Sequence, residues 1–414
     1  MATLADDTTT SSQWSLLPYD ILHEITLRID KPRDYVRLGA VCKGWLSFVH
    51  RNFNQKHLLH IYQNNPLLLI PSASPQESRG LYNITQGIVY DQFQIHLPHK
   101  RCCGSSYGWL FFVEKVNDST MELILLNPFL GYGAKPIKLP PLKFCAYEHE
   151  VNIMDEYGVC KAILSKDPWT SPDDYEVVAM YGTFGELAHY KAGDNFWSYA
   201  EKMDRQVFAD VIFYKDLILA VDRYNWIVKF TLEQVERGII RTTNYNTSPW
   251  YLKWHTIHEQ LPFGRPFYAG NAYFAEDSRG DLLLARRYYR NKNELEAQED
   301  DQEQIANTKE FKVYKLYFSS KKLKMKMFPT KKLYGETLFV GDNHSISVPT
   351  SKYPCLRPNS IYYTDDYIDV YKRNLGFGTC DTGVFSIKHG SFGENFVPTF
   401  STKDKPPPIF VVPR

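Results

Sequence analysis

No stretch of this chain is long and apolar enough to cross a bilayer as a helix. Apolar runs such as Leu67 to Ile70 and Leu217 to Val221 fall far short of the roughly 18 residues that a spanning segment needs. A surplus of one charge is missing too. Lys and Arg number 48 against 47 Asp and Glu, a formal net charge of +1, which leaves no electrostatic footprint for nucleic acid or an acidic membrane surface. Cysteine is scarce, with 7 in 414 residues. Its irregular spacing, including adjacent Cys102 and Cys103, fits buried free thiols rather than a disulfide framework. Residues 1–13 are acidic and rich in Ser and Thr, without the basic start and apolar stretch of a secretory signal. They read as a disordered tail, and the protein as soluble and intracellular, in nucleus or cytoplasm and not secreted. Triplets such as Asn83-Ile84-Thr85 then carry no glycan.

Catalytic signatures are missing from the settings they require. Gly104-Ser105-Ser106-Tyr107-Gly108 has the Gly-x-Ser-x-Gly form of a nucleophile elbow, but that elbow works only between a strand and a helix. Here Leu97 to Arg101 is a poor strand and Trp109 to Val113 a good one, so a turn between two strands is the better account. The pairs Asp173-Asp174 and Asp365-Asp366 are chain neighbours, which point to opposite faces of an extended backbone and cannot flank one glycosidic bond. His57/His60, His96/His99 and His255/His258 lack a third ligand at zinc-like spacing. Gly131-Tyr132-Gly133 and Gly376-Phe377-Gly378 lack the third glycine of a phosphate loop. The expectation is no catalytic residue, no metal and no cofactor.

What the chain does have is size, with too many residues for one ordinary core, and aromatic weight, with 29 Tyr and 25 Phe. From Pro18 to Val49 the apolar spacing is helical, and almost everywhere after residue 60 it is not. Pro18 suits a first helical position, and Asp20 faces the positive end of the helix dipole. Ile21, Leu22, Ile25 and Ile29 form a stripe. Asp30 and Pro32 open a second helix carrying Tyr35, Leu38 and Val41. A third places Trp45, Phe48 and Val49 on one face, with Gly44 costing it about 1 kcal/mol relative to Ala and expected to shorten it. So few residues cannot bury all of this apolar surface among themselves, so some of it should meet a partner.

Leu17-Pro18-x-Asp20-Ile21-Leu22, Ile25, Arg28-Ile29, Asp34-x-x-Arg37 and Val41-Cys42-Lys43-x-Trp45 together resemble the F-box motif. The resemblance implies docking on a Skp-family adaptor, and through it a cullin-RING ligase, by Leu17, Pro18, Leu22, Val41, Cys42 and Trp45, which match the family's interface and packing positions.

The remainder reads as short strands punctuated by Gly, Pro, Asn and Asp. The clearest are Trp109 to Val113, Glu122 to Leu126, Glu176 to Tyr181, Val211 to Tyr214, Leu217 to Val221, Trp226 to Phe230, Asp281 to Ala285, Phe311 to Phe318 and Gly383 to Ile387. Lys215-Asp216-Leu217-Ile218-Leu219-Ala220 is echoed by Arg279-Gly280-Asp281-Leu282-Leu283-Leu284-Ala285, which points to a radial repeat. At roughly 40 to 50 residues a blade, that predicts a β-propeller of six or seven blades. Ser105-Ser106-Tyr107-Gly108-Trp109-Leu110, Leu125-Leu126-Asn127-Pro128-Phe129 with Ile137-x-Leu139-Pro140-Pro141-Leu142, Val211 to Phe230, Asn359 to Asp366 and Gly383-Val384-Phe385 resemble the KIB-type domain of plant F-box proteins. That family's domain is a kelch-like propeller assigned to target binding.

The expected fold class is α+β multidomain. Its parts are a tail at 1–13, a three-helix F-box at 14–53, a linker at 54–65, a propeller at 66–400 with a mobile acidic insertion at 291–309, and a C-terminal tail at 401–414. Lys321, Lys322, Lys324, Lys326, Lys331 and Lys332 read as the solvated lysines of an edge strand. Two functions follow. In one, the chain is the substrate receptor of a Skp-cullin-F-box ubiquitin ligase whose propeller holds an unidentified target protein, with the ubiquitin chemistry done by other subunits. In the other it is a ligand- or carbohydrate-binding or hydrolytic propeller, or a scaffold acting without ubiquitination. Tyr224, Trp226, Tyr288 and Tyr289 are aromatic candidates for a target surface, with core packing equally open to each.

Overall fold

The computed structural model describes residues 13–26, 28–29, 32–52, 66–71, 78–96, 101–117, 120–130, 135–143, 158–182, 185–201, 207–222, 226–234, 250–258, 269–289, 308–319, 324–364, 381–393 and 408–412. The chain divides into two compact units, a helical one centred on Met1–Asn65 and a β unit centred on Pro66–Pro128 and Lys135–Val412.

In the helical unit a 3₁₀ turn, Gln13–Leu16, precedes α1 (Tyr19–Thr26), α2 (Pro32–Gly39) and α3 (Lys43–Asn52). Pro32 opens α2 as expected of a residue with no N–H to satisfy. Pro18 falls one residue before α1, where its carbonyl accepts the amides of Ile21 and Leu22 at 3.1 Å each. The shortening expected from Gly44 does not occur, for α3 runs 10 residues. Gly44 sits in the first turn, where amides lack intrahelical partners in any case. Leu22, Trp45, Phe48 and Val49 make the core, with Leu17, Ile29, Leu38 and Cys42 packed around it.

The β unit contains six sheets among the described residues, four of four strands and two of five, so the propeller has six blades. Blade 1 is Ile409–Val411, Leu67–Pro71, Ser78–Asn83 and Ile88–His96. Blade 2 is Cys102–Ser106, Trp109–Asn117, Thr120–Leu126 and Ile137–Lys138, with Leu142–Lys143 also on Thr120–Leu126. Blade 3 is Val159–Leu164, Glu176–Tyr181, Glu186–Lys191 and Ser198–Tyr199. Blade 4 is Phe208–Tyr214, Leu217–Asp222, Ile227–Gln234 and Trp250–His258. Blade 5 is Ala269–Glu276, Leu282–Tyr289, Thr308–Ser319 and Lys324–Thr330. Blade 6 is Ile346–Pro349, Glu336–Val340, Ser360–Tyr363, Gly383–Ser386 and Ser391–Phe392.

Successive side chains on a strand point to opposite faces, and here each face meets a different neighbour. In blade 4, Ile212, Leu219 and Val221 pack with Phe274, Leu282 and Leu284 of blade 5. The intervening Val211, Ile218 and Ala220 pack with Ile163, Val178 and Met180 of blade 3. Leu283 and Ala285 of blade 5 turn the other way, onto Leu338, Val340 and Ile361 of blade 6. With both faces covered, the second strands read as continuous apolar runs rather than alternations.

The ring closes through its ends. Ile409–Val411 pairs antiparallel with Leu67, Leu68 and Leu69, and Phe410 packs among Leu68, Phe339 and Tyr362. The expectation of a C-terminal tail at 401–414 is therefore corrected, because three apolar residues after a proline run complete blade 1. Blade 6 departs from the simple meander, with Glu336–Val340 and Ser360–Tyr363 parallel. The acidic insertion lies outside the described residues except for Thr308 and Lys309, which belong to the strand Thr308–Ser319. Of the lysine segment, Lys324 and Lys326 lie in the last strand of blade 5, where Lys326 is exposed, as are Lys331 and Lys332 beyond it, and Lys321 and Lys322 lie outside the described residues.

Ser105 and Ser106 lie in the first strand of blade 2, and Tyr107-Gly108, with φ of 54° and 80°, form the two-residue turn to Trp109. A nucleophile elbow is thereby excluded at this site, since strand follows strand. Gly104 has no room for a side chain: a Cβ there would overlap the Ala162 carbonyl of blade 3. Asn83 is buried, its Oδ1 accepting the amides of Thr85 and Gln86 at 3.0 and 3.1 Å.

Candidate functional site

The helical unit holds a small apolar interior, with further apolar side chains left on its surface. Trp45 is anchored by its Nε1, which donates to the Trp14 carbonyl at 3.0 Å. Its own amide approaches the Cys42 sulfur at 3.4 Å. The Tyr19 and Phe48 rings stack at 5.5 Å. Outside this interior Leu16 is 75% exposed, Val41 57%, Ile21 47% and Leu46 44%, with Trp14 and Tyr19 also open. Burying one such side chain fully is worth about 1.5–3 kcal/mol, a gain the unit leaves unrealised in each of these exposed residues.

The residues singled out from sequence divide into two sets. Leu22 and Trp45 lie in the interior, Leu17 and Cys42 are half-buried against it, and Pro18 and Val41 are exposed. The first four therefore build the interior and its margin, and the last two are surface residues. Leu16, Ile21 and Leu46 join them without standing among the motif's docking positions. Ile21 follows the aspartate of the motif and Leu46 follows its tryptophan, so the i+1 neighbours of the pattern carried the signal.

In the propeller, buried charges join blades. Arg101 pairs with Asp342 at 2.8 Å and donates to the Val159 carbonyl at 2.7 Å, linking blades 2, 6 and 3. Burial works against its charge, yet Asp342 beside it holds the Arg101 guanidinium above its ordinary range. Lys161 of blade 3 meets Asp210 of blade 4 at 2.6 Å, and Asp210 also accepts the Phe274 amide of blade 5 at 2.7 Å. The His344 amide donates to the Ser105 carbonyl at 3.0 Å, and His344 Nδ1 lies 3.1 Å from Ser106 Oγ. Residues 341–345 of blade 6 thus reach past blade 1 to blade 2. Burial pushes the Cys102 thiol up to about 11 and the Cys103 thiol higher still, so both are inert thiols rather than nucleophiles. Among the described residues no group of three or more His, Cys, Asp or Glu could hold a metal, and no helix is long and apolar enough to cross a membrane.

The remaining candidates read from the sequence scatter. Trp226, Tyr288 and Tyr289 are half-buried, Tyr288 beneath Lys312 and Tyr289 beneath Arg287. His255 is exposed and lies 3.4 Å from Thr231 Oγ1. Asp174 pairs with Lys166 at 2.5 Å. Tyr224, Asp365, Asp366, His57, His60, His99 and both Gly-x-Gly pairs lie outside the described residues. The exposed aromatics of the propeller include instead Trp169 and Tyr334, the latter under Arg279 at 4.3 Å. Trp169 sits in the turn-rich Ser165 to Asp174 and Tyr334 just before Gly335, where aromatic residues in turn sequence were the available signal.

The comparisons with known proteins agree with this division. A model of the KIB1-4 beta-propeller family matches residues 81–386, and an F-box-like model matches residues 14–58. The F-box protein SKIP23 of Arabidopsis thaliana is 23% identical over 96% of this chain and 95% of its own. The probable F-box protein At1g65740, of the same plant, is 23% identical over 94% of this chain and 99% of its own. A solved β-propeller domain, that of Cps50 (Swd1) from Myceliophteria thermophila, covers 60% of this chain and 66% of its own at 12% identity and a TM-score of 0.28, a likeness too weak to extend further. With most of its length matched by one family model and its helical start by another, the chain belongs to the KIB1-4 β-propeller family and carries an F-box-like unit at its N-terminus.

Proposed function

We propose that the protein is the substrate-recognition subunit of a Skp-cullin-F-box ubiquitin ligase, acting in the nucleus or cytoplasm. The helical unit docks a Skp-family adaptor, which brings the cullin-RING ligase, and the propeller holds a target protein. The protein contributes no catalytic group of its own; it raises the local concentration of target at the transfer site. The observation that carries the reading is the exposure of Leu16, Ile21, Val41 and Leu46 around an interior already filled by Leu22, Trp45, Phe48 and Val49. Such a face gains from a partner and gives nothing to its own core.

Co-purification with a Skp adaptor tests it. Val41→Asp and Leu46→Asp change exposed positions and should leave the helical content intact while cutting adaptor binding by at least about tenfold, as expected of a charge placed in a desolvated interface. Undiminished binding by both folded variants sinks the assignment.

A further inference from the structure

Blade 6 carries a cavity of about 410 Å³ whose lining includes Arg357, Ser360, Ser386, Lys388, His389 and Phe392. Its charged side chains are of one kind. Arg357, Lys388 and His389 supply cationic or donor groups, the serines supply hydroxyls, and no Asp or Glu is among the described residues that line it. The guanidinium of Arg357 lies directly over Gly393, close enough that a Cβ at that position would overlap its Nη1. Gly393 is thus the space the guanidinium occupies. Lys388 and His389 come from the turn after Gly383–Ser386, fixed where the His389 amide approaches Ser386 Oγ at 3.4 Å and the Gly390 amide donates to the Ser386 carbonyl at 2.8 Å. Phe392 forms a rigid apolar wall: it is 41% exposed, and Phe385 and Tyr363 hold it edge-on at 5.2 and 6.4 Å.

We infer that this cavity binds an oxyanion carried on a peptide side chain, a phosphate ester or a carboxylate, with an apolar neighbour of that residue lying on Phe392. Charged donors lining a concave site favour a compact anion, and an arginine fork is suited to phosphate and carboxylate oxygens alike. The exposed face of Phe392 asks for an adjacent apolar group. The peptide origin of the ligand rests on the receptor reading above, whereas the anion site itself does not.

The test is titration of the full chain, in low salt, with acetyl-phosphoserine-phenylalanine amide, acetyl-glutamate-phenylalanine amide, acetyl-serine-phenylalanine amide and inorganic phosphate. The two anionic dipeptides should bind, the phosphoserine one more tightly for its second charge, and the serine one should not. Lys388→Glu reverses an exposed charge, and Gly393→Ala displaces the guanidinium by its flexible end without asking for a strained backbone. Each should weaken both anionic probes by about tenfold or more, while adaptor co-purification stays unchanged, so that a failed receptor reading is seen separately. Binding of the serine probe equal to that of the anionic ones, or undiminished affinity in both variants, or no binding of any dipeptide, overturns the inference. Inorganic phosphate binding as tightly as phosphoserine would assign the site to a free ion and overturn it as well.

Discussion

At the scale of single residues, several polar side chains of this fold are positioned by a neighbour in another strand or blade. Glu176 shows the consequence for pH. His189, on the adjacent strand, donates to Glu176 Oε2 at 2.8 Å, and this hydrogen bond, against the opposing effect of burial, holds the Glu176 carboxyl below its ordinary value of 4.5. A carboxyl whose folded pKa is depressed contributes stability that is present above its unfolded pKa and lost as pH falls through the folded one. The unfolding midpoint of the wild type should therefore fall with acidification below about pH 4.5, and that of Glu176→Gln should start lower and fall less, the two curves converging in acid. Parallel curves through that range would show that the pair contributes nothing.

The helical motif was legible at this scale as a pattern, since its proline, acid and Cys-Lys-x-Trp cluster are a matter of spacing. Which of its members face outward was not. Leu22 and Ile21 are adjacent and both apolar, and only the packing of α1 on α3 makes one interior and the other surface.

At the scale of elements, legibility depended on who selects the residues. Glu176–Tyr181 is readable with its observed bounds because an apolar run stands between Asp173-Asp174 and Gly182. Cys102–Ser106 does not read as a strand. Its Gly104 has low strand propensity, yet it is there because the neighbouring blade's backbone comes too close for a side chain. The Ser105 hydroxyl donates to the Phe410 carbonyl, and Ser106 Oγ accepts the Leu164 amide at 3.3 Å. The echo between Lys215 to Ala220 and Arg279 to Ala285 is explained as well, since both segments are a turn and the second strand of a blade. Gly104→Val puts this to measurement. Its branched side chain meets backbone rather than a movable tip, so the denaturation midpoint should drop by the equivalent of about 1–3 kcal/mol, the usual cost of overpacking. A midpoint unchanged from wild type would mean that blades 2 and 3 can part without penalty.

At the scale of the whole β unit, blades 3 to 6 and blade 1 share cores with their neighbours, and the radial arrangement follows from recurring short strands while its closure does not. Four apolar residues, Ile409 to Val412, behind Pro406-Pro407-Pro408 carry too little periodicity to announce a strand. Their weight comes from the partner, since Phe410 enters the contact between blades 6 and 1. A chain ending at residue 407 should lose the single cooperative unfolding transition of the β unit and show exposed apolar surface by dye binding. A truncated chain that still melts sharply at the wild-type midpoint would show blade 1 stable with its remaining strands alone.

The pairing of Ile409–Val411 with Leu67, Leu68 and Leu69 also sets an order of events during synthesis. A ribosome delivers Leu67 long before Ile409, so the nascent sheet waits with one hydrogen-bonding edge open while the other blades accumulate beside it. An open edge is a template for foreign strands, and long-range closure of this kind is slow. Attendance by chaperones until Phe410 has emerged, and intolerance of frameshifts ahead of the codon that encodes it, are the cellular costs of closing the ring.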